Sequence, residues 1–439
     1  MKSCDLLIRN GRVMPMVEPG QVLEGVSVAV VGQRIAAVGP EAEQYQAHNV
    51  IDATGRAVLP GLVNAHCHAP MTLFRGLAND RALMDWLQNY IFPAEAAEVN
   101  QEFVRWGSRL ACLEMIQAGI TTVADMYYFE STVAEEFAAA GLRGVLGQAL
   151  VDFPVPDARS FEEGVANVRA FARDWKGHPL ITPAVAPHAP YTVCEAHLRQ
   201  SRQLADELEL PLMTHLAETR TETEQMARDH QGLSPTAYLE SIGFFGPRTL
   251  AAHVVWADEA DIARLARARV GVAHCPHSNM KLASGVAPVL ALLRAGVAVG
   301  LGTDGPASNN DLDPWQELQT AIFLQKVTAL DPTALPAGQA LQMATSLGAR
   351  AVSLGHEVGT LEVGKKADLI IVSLDGAHQL PVYDVASTLA YTTRASDVRT
   401  VVIDGRVVME ERQVLSIQLE GLLDRVAEYA DRIRKRVLH

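Results

Sequence analysis

The chain has 439 residues, 49% of them hydrophobic, enough for one large domain with a smaller one beside it and a substantial buried core. A formal net charge of -14 argues against nucleic-acid polymers as partners, and the one short basic run, "RIRKR" near the C-terminus, suits the last turn of a helix. The N-terminus has no apolar signal core, Arg294 interrupts the most apolar later stretch, and five scattered cysteines form no CxxC pair, so a cytoplasmic protein with reduced thiols and no membrane span is expected.

In chain order, residues 1–57 read as short strands and turns, with Asn10-Gly11 and Gly32-Gln33 as hairpin signals. From residue 58 to 358, apolar runs alternate with helical patterns. The runs are "GLVNAH", "TTVADM", "GVLGQAL", "ITPAVAP", "LMTHL", "TLAAHVV", "VGVAHCP" and "VAVGLGTD", eight candidate parallel strands. Residues 359–439 return to strands, with Asp404-Gly405 as a further hairpin, and end in a helical pattern from Ile417 that spaces Leu419, Leu423, Val426, Ile433 and Val437. The expected fold is therefore α/β: a (β/α)8 TIM barrel with a small flanking β-sandwich built from both termini. An open doubly wound sheet is the alternative. His66, Asp125, His188, His215, His253, His274 and Asp304 all fall at strand ends, the face where barrel active sites form, and this favours the barrel.

"NAHCHAPMTLFRGL" places His66 and His68 at i and i+2, so on a strand both rings aim to one side. His215 follows strand five and Asp304 ends strand eight, completing a set of three imidazoles and a carboxylate that suits zinc, with iron or manganese as alternatives. An open coordination position would make bound water a nucleophile near neutral pH. Glu218, three residues after His215, is placed to exchange protons with a substrate above the metal. His253, in "AAHVV", lies beside that point.

The ordered motifs "NAHCH", "APHAPY", "HLAET", "AAHVV" and "GTDGPASNN" resemble those of the amidohydrolase superfamily over essentially the whole chain. "HAPMTLFRGLAND", "DWL", "PAE" and "SNMKLASGVAP" are similar to segments of its 5'-methylthioadenosine/S-adenosylhomocysteine deaminases. The resemblance implies a single metal held by His66, His68, His215 and Asp304: binuclear members carry a bridging lysine after strand four, where this chain ends "ITPAVAP" in His188. It implies hydrolytic deamination at C6 of an adenine nucleoside. Glu218 would be the proton shuttle, His253 would orient water, and Asp304 would help move a proton to the leaving amine.

On the same basis Glu95 would accept the ribose 2' and 3' hydroxyls, His188 would donate to the purine and Trp86 would wall the pocket. Arg159 matches one of two arginines that anchor the amino-acid end of S-adenosylhomocysteine from a neighbouring subunit. Gln148 stands where the other is expected, and a neutral amide cannot make the forked guanidinium contact. The expected substrate is accordingly 5'-methylthioadenosine, with S-adenosylhomocysteine and adenosine as further candidates, in a homodimer or homotetramer. Guanine or triazine hydrolysis and a non-catalytic barrel relative are the alternatives. A base-editor-type zinc deaminase is excluded, since H-x-E followed by P-C-x-x-C is absent.

Overall fold

The structure, a computed structural model, describes residues 2–437; Met1, Leu438, His439 and the side chain of Val437 lie outside that description. Eight parallel strands follow one another around a ring: β1 (Leu62–Cys67), β2 (Ile120–Tyr127), β3 (Arg143–Leu150), β4 (Ile181–Pro187), β5 (Leu212–Leu216), β6 (Thr249–His253), β7 (Gly271–His274) and β8 (Val299–Leu301). Each segment is a nearly continuous apolar run because both of its faces are covered; every residue of β2 and β3 is buried. Between β8 and β1 no regular ladder forms. There the Asp304 amide donates to the His66 carbonyl (2.9 Å), and Asn64 exchanges side-chain bonds with Thr303 (3.0 and 2.7 Å). These contacts close the ring at the site-bearing end and settle the choice between barrel and open sheet.

Helix chemistry explains the alternation. Asn100 caps helix Gln101–Ala118 by accepting from the amides of Glu102 and Phe103, and Gly119, at φ 88°, ends it and starts β2. Inside the barrel, small residues such as Ala65, Ala124, Ala184, Ala186 and Ala273 pack with Val63, Met126 and Met213, and Ala349 and Ala351 of helix Ser346–Ala351 join the same cluster.

The terminal segments build one nine-stranded mixed sheet in which Leu369–Val372 pairs with Ala57–Pro60. Ile8, Val28, Val30, Val58, Leu369, Ile371 and Val402 form its own core. Gly32-Gln33 and Asp404-Gly405 make the expected tight turns. Asn10-Gly11 does not. It lies within strand Leu6–Val13 as an irregularity of register, with Asn10 at φ 61°, because the partner strand Leu23–Val31 arrives only after a longer loop. Arg143 at the start of β3 donates to both oxygens of Asp368 (2.8 and 3.0 Å), tying the barrel to this sheet.

The last helix, Leu422–Val437, starts later than its apolar spacing predicts. Leu422, Tyr429 and Ile433 form its buried face, whereas Leu419 and Leu423 are exposed. The basic run has a partner: Arg432 (2.6 Å) and Arg436 (3.0 Å) grip Glu98, whose side chain is fully buried. Among the described residues no helix is long and apolar enough to cross a membrane, and all five cysteines are unpaired.

Candidate active site

His66 and His68 stand at the end of β1, where the register against β2 shifts between Asn64 and Cys67. Such an irregularity re-aims side chains, and both rings turn to one point with His215 from β5, His253 from β6 and Asp304 after β8. Donor atoms of His66, His215 and His253 lie within 4.8 Å of one another, as do those of His66, His68 and Asp304. Asp304 Oδ1 is 3.2 Å from His68 Nε2 and 3.4 Å from His66 Nε2, and His215 Nε2 is 3.4 Å from His68 Nε2. His253 and Asp304 both adopt left-handed backbone (φ 72° and 61°), unusual for residues with a side chain and concentrated at sites the fold must over-determine. Gly302 and Gly305 permit the close approach, because a Cβ at Gly302 would meet His66 at 3.0 Å and one at Gly305 would meet His68 at 3.2 Å.

The outer ring nitrogens are engaged. His68 Nδ1 bonds the Met126 carbonyl (2.5 Å), His215 Nδ1 the His188 carbonyl (2.7 Å) and His253 Nδ1 the Asn279 side-chain oxygen (3.0 Å). Donation outward leaves the Nε2 lone pairs converging, the orientation that metal-ligating imidazoles take from their supporting carbonyls. His66 Nε2 is buried without a hydrogen-bond partner. Burial holds His66 down at about 4. For His68 burial works in the same sense, yet donation to the Asp304 carboxylate lifts it to about 9, while Asp304 itself lies well below the usual carboxylate range despite its burial, because the His66 and His68 imidazoles face it. Converging lone pairs and a carboxylate that draws positive charge toward them fit a divalent cation of zinc's preferences.

Asp304 is oriented by Ser278 (2.6 Å) and Ser308 (2.9 Å) on Oδ2 and by the Gly305 amide (2.8 Å) on Oδ1. Glu218 lies on the link between β5 and helix Arg220–Asp229, not on the helix, with Oε2 3.8 Å from His253 Nε2. Its backbone is held by Glu222, which accepts from the amides of Ala217 (2.9 Å) and Glu218 (2.7 Å), and burial pushes its carboxyl up. Ser278, Asn279, Ser308 and Glu222 lie in or just beyond the motifs "SNMKLASGVAP", "GTDGPASNN" and "HLAET", but only the fold shows what they touch.

A cavity opens from this cluster. His68, His188, His215, Glu218, His253 and Asp304 line one end, and Leu83, Trp86, Leu87, Ile91 and Phe92 cover it from the segment between β1 and β2. Glu95 lies at its edge, accepting from the Tyr127 hydroxyl (2.7 Å), and burial pushes it up to about 7. His188 lines the cavity with Nδ1 2.9 Å from the Thr192 hydroxyl, and burial lowers it to about 3. No lysine or arginine is among the lining residues.

Gln148 is not brought to the cavity. Its neighbour Ala149 lines the space, and strand alternation turns Gln148 outward, where it is buried and donates to Asp157 (2.9 Å). Arg159 is exposed on the loop beyond β3. Asp125 supports the turn after His68 by accepting from the Ala69 amide (2.6 Å), and His274 is buried with neither ring nitrogen bonded.

A parallel barrel carrying metal-type donors and a buried glutamate at the C-terminal mouth has the layout of a metal-dependent hydrolase. The sequence pattern of the amidohydrolase family matches residues 57–408. The chain is 48% identical over 433 residues to a 5-methylthioadenosine/S-adenosylhomocysteine deaminase of Syntrophobacter fumaroxidans, covering 98% of each. It is 43% identical over 434 residues to a 5'-deoxyadenosine deaminase of Methanosarcina acetivorans, again covering 98% of each. A crystal structure of an adenosine deaminase from Xanthomonas campestris with bound zinc superposes with a TM-score of 0.97 at 41% identity, covering 99% of both chains. The chain thus belongs to the amidohydrolase family and, within it, to the 5-methylthioadenosine/S-adenosylhomocysteine deaminases.

Proposed function

We propose that this enzyme hydrolytically deaminates the adenine ring of 5'-modified nucleosides, with 5'-methylthioadenosine as the preferred substrate. The observation that carries the reading is one cavity whose lining brings together metal-type donors, Glu218, Glu95 and apolar side chains, with no lysine or arginine among them. His66, His68, His215 and Asp304 would hold one zinc ion, with iron or manganese fitting the same donors. Bound there, the metal supplies a Lewis acid that makes water nucleophilic near neutral pH.

The chain's own groups do the rest. Glu218, its carboxyl pushed up by burial, takes a proton from water and delivers one to N1 of the ring. His253, steadied by Asn279, directs its Nε2 to the same point. Asp304, fixed by Ser278 and Ser308, accepts a proton and passes it to the departing amine, giving ammonia and the hypoxanthine nucleoside. Glu95 accepts from the ribose hydroxyls. His188, its Nδ1 engaged with the Thr192 hydroxyl, turns its other ring nitrogen to the purine. Leu83, Trp86, Leu87, Ile91 and Phe92 exclude water and receive an uncharged 5' substituent.

The charged amino-acid end of S-adenosylhomocysteine finds no cation in this lining. Binding it would rely on Arg159 reaching the cavity of a neighbouring copy, so self-association, at least to a dimer, is part of this reading. The unpaired thiols suit a reducing compartment, consistent with a cytoplasmic enzyme.

The test is ammonia release from 5'-methylthioadenosine, 5'-deoxyadenosine, adenosine, S-adenosylhomocysteine and guanine, compared by kcat/KM. 5'-Methylthioadenosine should lead and S-adenosylhomocysteine should trail it by at least about tenfold, the value of one charge-assisted hydrogen bond. A lead for S-adenosylhomocysteine would overturn the assignment of the apolar wall, and turnover of guanine alone would overturn the adenine reading. A light-scattering mass equal to the monomer would remove the shared-site contribution of Arg159.

A further inference from the structure

Glu95 sits on the short helix Phe92–Glu98, in the segment that covers the barrel mouth, and a carboxylate there has its own side-chain rotations to settle before it can receive two hydroxyls. Tyr127 is the last residue of β2, buried from bulk solvent and lining the cavity beside Glu95. Its hydroxyl donates to Glu95 Oε1 at 2.7 Å. Burial, reinforced by the neighbouring Glu95, keeps the phenol protonated, so toward the Glu95 carboxylate it is the donor. The ring is held in place by Tyr128, with centroids 4.9 Å apart. The preceding residue, Met126, offers the carbonyl that orients His68 at 2.5 Å. Two adjacent residues of one strand end therefore fix a metal-type donor on one side and Glu95 on the other.

We propose that Tyr127 is the positioning residue that sets the sugar grip: it locks the carboxylate plane of Glu95 and ties its distance from the reacting end to the rigid end of β2. This rests on the reading that Glu95 receives the ribose hydroxyls. With Oε1 occupied once, Glu95, which lines the cavity, keeps acceptor sites on Oε1 and Oε2 for the 2' and 3' hydroxyls. Because near-attack geometry depends on where the sugar is pinned, the contact acts on ribonucleosides and not on the ring chemistry itself.

The experiment compares adenosine with 2',3'-dideoxyadenosine in the zinc-loaded wild type, Tyr127→Phe and Glu95→Gln. Tyr127→Phe should lower kcat/KM for adenosine by about tenfold, the scale of one hydrogen bond to a charged group. The dideoxy substrate, which offers Glu95 nothing, should stay within about twofold, and zinc content should be unchanged. Equal losses on both sugars, or no loss on either, would overturn the proposal. Glu95→Gln separates the two levels: if it fails to distinguish the sugars, the reading of Glu95 itself falls, whereas if it distinguishes them and Tyr127→Phe does not, only the role of Tyr127 falls. Should the phenylalanine variant not fold, 3,5-difluorotyrosine at position 127 keeps the ring and alters only the donor. The ratio between the two sugars should then shift, and an unchanged ratio would overturn the proposal.

Discussion

Ser278 and Ser308 donate to one oxygen of Asp304 and the Gly305 amide to the other, so this carboxylate is oriented before any substrate arrives. Glu218 is different: its backbone is pinned by Glu222, and its buried carboxyl lies 3.8 Å from His253, with Asp304 and His68 also acting on it. Glu218→Gln should therefore keep bound zinc and lose about 10²- to 10⁴-fold in kcat, the range for removing a general acid–base group; full activity with normal zinc content would refute the shuttle role. Without metal, His68 holds a proton against Asp304 up to about 9. A cation must displace that proton, so zinc affinity should rise up to about tenfold per pH unit while pH climbs toward that value. Competition with a chelator would show this, and His68→Ala should lose zinc and activity together.

Glu95 adds a second pH effect. It is protonated below about 7 and ionised above, and only the carboxylate offers both oxygens as acceptors. KM for ribonucleosides should fall as pH rises from about 6 to about 8, whereas a 2',3'-dideoxy substrate should show no such limb.

At the scale of elements, the segment from Leu83 to Glu98 covers the cavity and the terminal helix Leu422–Val437 braces it. Phe103 meets Tyr429 edge to face at 5.5 Å, and Glu98 is clasped by Arg432 and Arg436. Glu98 is three residues beyond Glu95 on the same helix, so the clasp bears on the residue proposed to hold the sugar. Replacing both arginines by alanine leaves a buried carboxylate without its partners. Because these arginines are themselves about half exposed, the expected loss is only about 1–2 kcal/mol, accompanied by a severalfold rise in KM and little change in kcat. Adding Glu98→Gln should restore most of the stability. Thermal denaturation and steady-state kinetics check both, and an unchanged KM would detach the terminal helix from substrate binding.

At the scale of the molecule, Arg143 joins barrel to terminal sheet through Asp368, with Asp404 3.4 Å away and Lys366 completing the group at 2.8 Å from Asp404. The network lies at the opposite end of β3 from the site. Arg143→Ala should cost about 3–5 kcal/mol, because Asp368 and Asp404 stay buried with less compensation, while kcat of the remaining folded enzyme should hardly change. A large fall in kcat with intact stability would contradict this separation of scaffold from site.

The sequence by itself determined the eight strands, their alternation with helices and the residues that converge at the strand ends. Those features are written in local apolar periodicity and in the rule that parallel strands present their C-terminal ends on one face. It also determined that Asp404-Gly405 turns, because that geometry is settled within two residues. Asn10-Gly11 shows the limit: the same left-handed preference serves a turn or an irregular strand, and only the arrival of Leu23–Val31 decides between them. Likewise, no local signal distinguishes Gln148 facing outward from Gln148 facing a ligand, or gives Tyr127, Ser278, Asn279 and the Arg432–Glu98 clasp their partners. Those contacts join residues far apart in the chain, so they exist only once the barrel has closed and both termini have packed against it.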